Sequence, residues 1–259
     1  MRNFYLIARK ELHSYFSSPV AYVVITMFLV ITGYFFYNLF ASFSILSFQA
    51  STNPAIANQK NLLNITETVV RPLFGNISMI MLLMVPLLTM RLFSEEKKSG
   101  TIELLLTYPV TDMEVILGKF FACLTVFLLM LLLTAIYPVL LFVFGEPEIG
   151  PVLTGYAGLV FMGAAFISLG IFTSSLTENQ IIAATLSFGI LFLFFMMGYS
   201  VSLMGPTLGN LMIYISLIGH LEGFAKGVID TTDIIYYAVF ITLFIFLTLR
   251  VLESKKWRG

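Results

Sequence analysis

The sequence predicts an all-α integral membrane protein with six transmembrane helices, and three observations carry that expectation. Of its 259 residues, 59% are hydrophobic and 11% charged, whereas an average soluble domain carries about 25% charged residues. Six apolar runs free of Asp, Glu, Lys and Arg meet or approach the roughly 20 helical residues needed to cross a hydrocarbon core of about 30 Å. The basic residues also divide unevenly between the two sides that those runs define. A soluble core holding 26 Phe and 13 Met would need a polar shell that 14 basic and 14 acidic side chains cannot supply.

Taken in order, residues 1–18 suit an amphipathic connecting helix, because Phe4, Ala8, Leu12 and Tyr15 share one face while Arg9, Lys10 and His13 share the other. Such a helix lies along the membrane surface. Glu11 is the misfit: helical spacing turns it toward the apolar face, where it needs a basic partner. The first apolar run, 19–40, is longer than a signal-peptide h-region, so the N-terminus is expected to stay in the mature chain. The remaining spans are 72–90, 120–144, 152–176, 181–204 and 234–252, the last reaching past Arg250 with that side chain snorkelling. Together they form one domain, 1–259.

Orientation follows from Lys and Arg in the flanking segments. Eleven fall on the side of the N-terminus: Arg2, Arg9, Lys10, Arg91, Lys97, Lys98, Lys119, Arg250, Lys255, Lys256 and Arg258. Lys60, Arg71 and Lys226 fall on the other. Both termini are therefore expected in the cytoplasm. Residues 41–71 read as a polar outer loop, 145–151 (GEPEIGP) as a tight outer turn, and 177–180 (TENQ) as a very short inner turn. Between the last two spans, 205–233 contains an apolar stretch too short to cross, which suits a re-entrant or surface-lying helical hairpin on the outer side. Its candidate functional residues are His220, Glu222, Gly223, Gly227 and Asp230, with His220 and Glu222 expected to form a hydrogen-bonded pair.

The sizeable inner loop runs from 91 to 119 (RLFSEEKKSGTIELLLTYPVTDMEVILGK) and is dense in charge. Ile102, Leu105 and Leu106 at i, i+3 and i+4 suit a short helix that Pro109 stops, and Thr111 with Glu114 makes a capping box that opens the third span. A solvated loop and a docking element for a cytosolic partner both fit this pattern.

With its EEKKSGTIELLLTYPVT core, its RKELHSYFSSPVAY opening and its ISLIGHLEGFAKGVIDTTDIIYY and LESKKW ending, the chain resembles the membrane subunits of ABC-2 type ABC transporters. The likeness is to gliding-motility-associated permeases and their nitrous-oxide-reductase-maturation relatives. The resemblance implies a type V exporter-like fold, with 1–18 as the connecting helix, 99–110 as the first coupling helix, 176–180 as a second inner contact and 208–231 as outer helices. It assigns ATPase coupling to Glu95, Glu96, Ser99, Gly100, Thr101, Ile102, Glu103, Leu105, Leu106 and Pro109. It further implies a cytosolic ATPase subunit that binds ATP and Mg, a second copy of the permease or a related one, and a bacterial inner-membrane location. Some gliding-type permeases also work with a membrane protein bearing a large outer domain; that domain is not in this sequence, and a separate chain would supply it.

The residues exclude several other functions. A P-loop needs G-x-x-x-x-G-K-[ST], but Gly118-Lys119 is followed by Phe120, with Met113 where the first Gly belongs. The chain is thus expected to be non-catalytic and to hold no cofactor. Only His13 and His220 exist, at opposite ends, and no H-E-x-x-H or complete nucleophile elbow occurs. Zero net charge offers no basic field for nucleic acid. A secondary transporter or channel is the alternative, and it usually places ionisable groups inside the spans, where this chain has none. Small residues at helical spacing, Ala164 with Ser168 and Ala183 with Ser187, suit close helix packing either within one subunit or between two.

Overall fold

The computed structural model describes residues 2–53, 63–101, 110–199 and 206–256, and these residues hold helices and no strand. They form α1 (Arg2–Ser17), α2 (Pro19–Thr52), a π-helical turn (Thr66–Val70), α3 (Arg71–Thr89), α4 (Arg91–Lys98), α5 (Asp112–Thr134), α6 (Ile136–Phe144), α7 (Ile149–Leu176), α8 (Gln180–Tyr199), α9 (Pro206–Ile215), α10 (Leu217–Ala225) and α11 (Thr231–Lys256). Six stretches are long and apolar enough to span a bilayer: Pro19–Thr52, Thr66–Lys98, Asp112–Phe144, Ile149–Leu176, Gln180–Gly198 and Thr231–Ser254.

Helix α7 is the axis of the bundle, packed by α3, α4, α5, α8, α10 and α11. It is hydrophobic all round, as a central helix must be. Its glycines are where neighbours press against its backbone. A Cβ on Gly155 would stand 2.1 Å from the Phe74 ring, and one on Gly163 would stand 2.1 Å from the Phe127 ring. Ala164, Ser168, Ala183 and Ser187 are all buried inside this single chain, so packing within the subunit accounts for those small residues.

Helices α2, α8 and α11 instead present large apolar side chains outward, among them Val30, Tyr37, Ile181, Leu193 and Val239. This is the pattern that lipid requires.

Several span ends differ from the sequence reading: the second span runs from Thr66 to Lys98, the third starts at Asp112 and the fourth at Ile149. Helix α2 runs on to Thr52, twelve residues into the stretch read as polar loop. Asn38, Ser51 and Thr52 return their side-chain hydrogen bonds to their own helix, so polar side chains there do not break it. The third span is interrupted at Ala135, whose N–H bonds back to Leu132 O at 3.1 Å. Pro138 lacks the N–H that would continue the ladder to Thr134. The capping box at its start is present as expected, with Thr111 accepting from the Glu114 N–H and Glu114 reaching back to the Thr111 N–H.

Beyond the spans, α9 and α10 are too short to cross and meet at Ser216, whose hydroxyl caps α10 by accepting the Gly219 N–H at 3.3 Å.

Candidate functional site

The densest polar construction lies at the end of the bundle where α1 docks. Helix α1 lays a stripe of Phe4, Ile7, Ala8, Glu11, Leu12 and Tyr15 inward while Arg9 and Lys10 face out. It seats on α5 at Gly118, where a Cβ would come within 2.8 Å of Ile7 Cγ2. The misfit carboxylate of Glu11 finds its partner there. The Lys119 ammonium, 1% exposed, lies 2.9 Å from Glu11 Oε1 and 3.0 Å from Glu96 Oε2. It also donates to Leu92 O at 2.7 Å and sits 5.1 Å from the centre of the Phe93 ring. Glu96 Oε2 makes this contact by proximity rather than by an aligned hydrogen bond. Its other oxygen takes a surface contact from Lys10 at 3.3 Å. One cation thus ties three elements, α1, α4 and α5.

The joint between α3 and α4 sits directly above this cluster. Ser174 of α7 inserts its hydroxyl there, accepting the Phe93 and Ser94 N–H groups at 3.0 and 3.1 Å and donating to Met90 O at 2.8 Å. A side chain intercalated in the backbone ladder is a recognised cause of a sharp bend. The approach is close because a Cβ on Gly170, one turn earlier, would meet Thr89 Oγ1 at 2.1 Å. Tyr15 donates to Leu88 O at 2.8 Å, and the Arg91 guanidinium lies 4.3 Å over the Tyr15 ring. Burial pushes the Tyr15 phenol well above its ordinary value, which keeps it a donor. The Lys97 ammonium bonds Ser175 O in the last turn of α7, where a cation suits the negative end of the helix dipole.

Helix α4 then ends at Gly100, whose φ of +71° is the left-handed conformation that favours glycine at a helix stop. Ser99 and Thr101 hydroxyls lie 2.8 Å apart across that stop. Of the ten coupling residues expected from sequence, Glu95, Ser99, Gly100 and Thr101 gather at this exposed end, and Glu96 turns inward to Lys119. Ile102, Glu103, Leu105, Leu106 and Pro109 lie outside the described residues. Lys98 shares a hollow of about 510 Å³ with Glu178, Asn179, Gln180 and Ile181. The α4 end and the 177–179 turn, far apart in sequence, therefore border one recess.

At the opposite end the hairpin corrects the sequence reading. His220 pairs with Asp233 at 2.6 Å, not with Glu222. Its other ring nitrogen faces Tyr214 O at 3.2 Å, and its ring stacks on Tyr236 at 4.0 Å. Glu222 is exposed and lies 3.4 Å from the Lys226 ammonium. Residues two apart on a helix do not face each other. Gly223 leaves room for Asp233, since its Cβ would stand 2.9 Å from Oδ2, and Gly227 turns the chain with φ +89°. Asp230 accepts the Thr232 N–H at 2.9 Å, which holds its carboxyl below the ordinary range and starts α11. Neither Asp233 nor Ser174 is singled out by the sequence, and Lys119 enters there as a basic flank of the third span. The isolated Glu11 is the signal that points to Lys119.

A family model described as ABC-2 family transporter protein matches residues 5–220, most of the chain. The chain belongs to that family. This ABC-2 protein is therefore a permease subunit of an ABC transporter, multi-pass and all-helical. No curated protein matches the permease at a significant level.

Proposed function

We propose that this permease couples ATP hydrolysis by a separate cytosolic ATPase to export or mechanical work across a bacterial inner membrane, in a system of the gliding-motility type. The observation that carries the reading is the recess shared by Lys98 and residues 178–181. Lys98, next to the segment 99–110 that the family resemblance assigns to the ATPase, and residues 178–180 of the second assigned contact open onto the same hollow. The α3–α4 joint, pinned by Ser174 and the Lys119 cluster, links that surface to α7 at the centre of the bundle.

In this reading the α1 end is cytoplasmic, with both termini there, in keeping with the basic side chains that gather on it. Two permeases, identical or related, form the working unit over two ATPases that hold ATP and Mg. Helices α9 and α10 form the outer re-entrant hairpin and offer a surface to an auxiliary chain with an outer domain.

Extraction of the full chain from native membranes in mild detergent tests this reading. An ATPase bearing a G-x-x-x-x-G-K-[ST] loop should accompany the unaltered chain. Leu105→Ser with Leu106→Ser should release it while permease yield holds, because losing apolar anchors at an interface centre commonly costs more than about 1 kcal/mol each. Glu103→Lys should weaken retention in a salt-dependent way. An unaltered chain that keeps no ATPase would favour a secondary transporter or channel instead.

A further inference from the structure

A cavity of about 270 Å³ opens at the end of the bundle opposite α1, between the first turns of α3 and helix α10. Its wall is divided by chemistry. Phe74, Gly75, Ile218, Leu221 and Ala225 make an apolar side, and Arg71, Glu222 and Lys226 make a charged one. Arg71 begins the apolar run of the second span, so the charged side lies at the level where lipid headgroups meet hydrocarbon. The Arg71 fork is only partly used. One terminal nitrogen pairs with Glu67, and the buried Nε–H finds no acceptor among the described residues. Lys226 and Glu222 hold each other loosely, at 3.4 Å with both side chains more than half exposed. The space lies open beside residue 75, where a Cβ would meet nothing within 4 Å. Glycine inside a helix lowers its stability, and at this position it leaves the cavity open.

From this geometry we infer that the cavity binds the headgroup of a zwitterionic phospholipid, with the phosphate on Arg71 and Lys226 and the ammonium on Glu222. Arg71 offers the planar donors that phosphate oxygens need, and Lys226 adds a second positive charge. Both cations are offset by Glu67 and Glu222, which favours a headgroup carrying both signs over a simple anion. The volume equals about nine water molecules at ~30 Å³ each. That is the scale of a phosphate with its ethanolamine arm, and it leaves the acyl chains outside against the apolar wall.

Native mass spectrometry of the full chain, released from detergent with defined lipids, tests this. Phosphatidylethanolamine should be retained at one per chain under conditions that strip diacylglycerol of the same acyl composition. Gly75→Leu, which fills the cavity with a better helix former, should lower retention at least tenfold while raising or preserving the thermal unfolding midpoint. Arg71→Gln should lower retention similarly, and the exposed Lys226→Gln, which does not threaten folding, several-fold. Equal retention of diacylglycerol, or phosphatidylethanolamine retention untouched by Gly75→Leu and Lys226→Gln, would overturn the inference. Inorganic phosphate displacing the lipid at micromolar concentration would overturn the lipid as occupant and assign the site to the free ion.

Discussion

The Lys119 ammonium lies 2.9 Å from the Glu11 carboxylate, joining the start of α5 to the helix before the first span across 108 positions of chain. Removing one member of a buried pair leaves the other charged and uncompensated, at a cost of about 3–5 kcal/mol. Lys119→Met should therefore lower the unfolding midpoint in detergent and expose α1 to protease. Lys10→Ala should stay within about 0.5 kcal/mol, because its contact with Glu96 is a surface one.

Ser174→Ala should act at a distance, on α4. The hydroxyl bridges Met90 O to the N–H groups of residues 93 and 94, and its loss leaves buried donors unpaired at about 1–3 kcal/mol. Hydrogen exchange at Phe93 and Ser94 should accelerate by more than tenfold, with exchange in α2 unchanged.

The glycines of α7 and α8 should part company. Gly163→Ala and Gly170→Ala each place a methyl about 2.1 Å from a packed neighbour and should destabilise by roughly 1–3 kcal/mol. Gly189→Ala in α8 meets nothing within 4 Å and should stabilise by up to about 1 kcal/mol. Thermal unfolding of the three variants side by side decides the matter.

In the hairpin, Asp233→Asn should loosen α10 from α11, read as increased exchange at residues 217–225. Glu222→Ala should change nothing beyond about 0.5 kcal/mol. The opposite ranking would return the His220 partner to Glu222.

Cysteine labelling checks the orientation. A membrane-impermeant reagent should modify Asn53→Cys from outside and spare Ser99→Cys in sealed right-side-out vesicles. The native Cys123 is buried and should stay silent in both.

The span count was legible in the sequence because a continuous apolar run of about 20 residues satisfies its backbone in lipid as a helix, and length then suffices. The end of α2 was not, since the Ser, Gln and Thr residues at 41–52 look like loop residues, yet Ser51 and Thr52 turn their hydroxyls back onto their own helix. Glu11 announced that it needed a cation. Which cation depended on how α1 folds back over α5, and nothing local to either segment says so. His220 was assigned the nearest acidic residue in sequence, Glu222, although helical geometry points the two apart; Asp233 is brought in by tertiary packing. The hydroxyl of Ser174 carried no signal, being one of many small polar residues in an apolar helix.

Helix α2 has 34 residues and no proline after its first position, so it stands about 51 Å tall at about 1.5 Å per residue. A bilayer core accounts for about 30 Å of that. Because α1 meets its foot at the Ser18 cap, α2 has the proportions of a lever pivoted near one end. A rocking of about 10° at the foot would sweep the tip near Thr52 sideways by about 9 Å, from the same rise per residue. Small rearrangements where α1 is tied down would thus emerge as large excursions on the other side of the membrane, with no break along the shaft to absorb them.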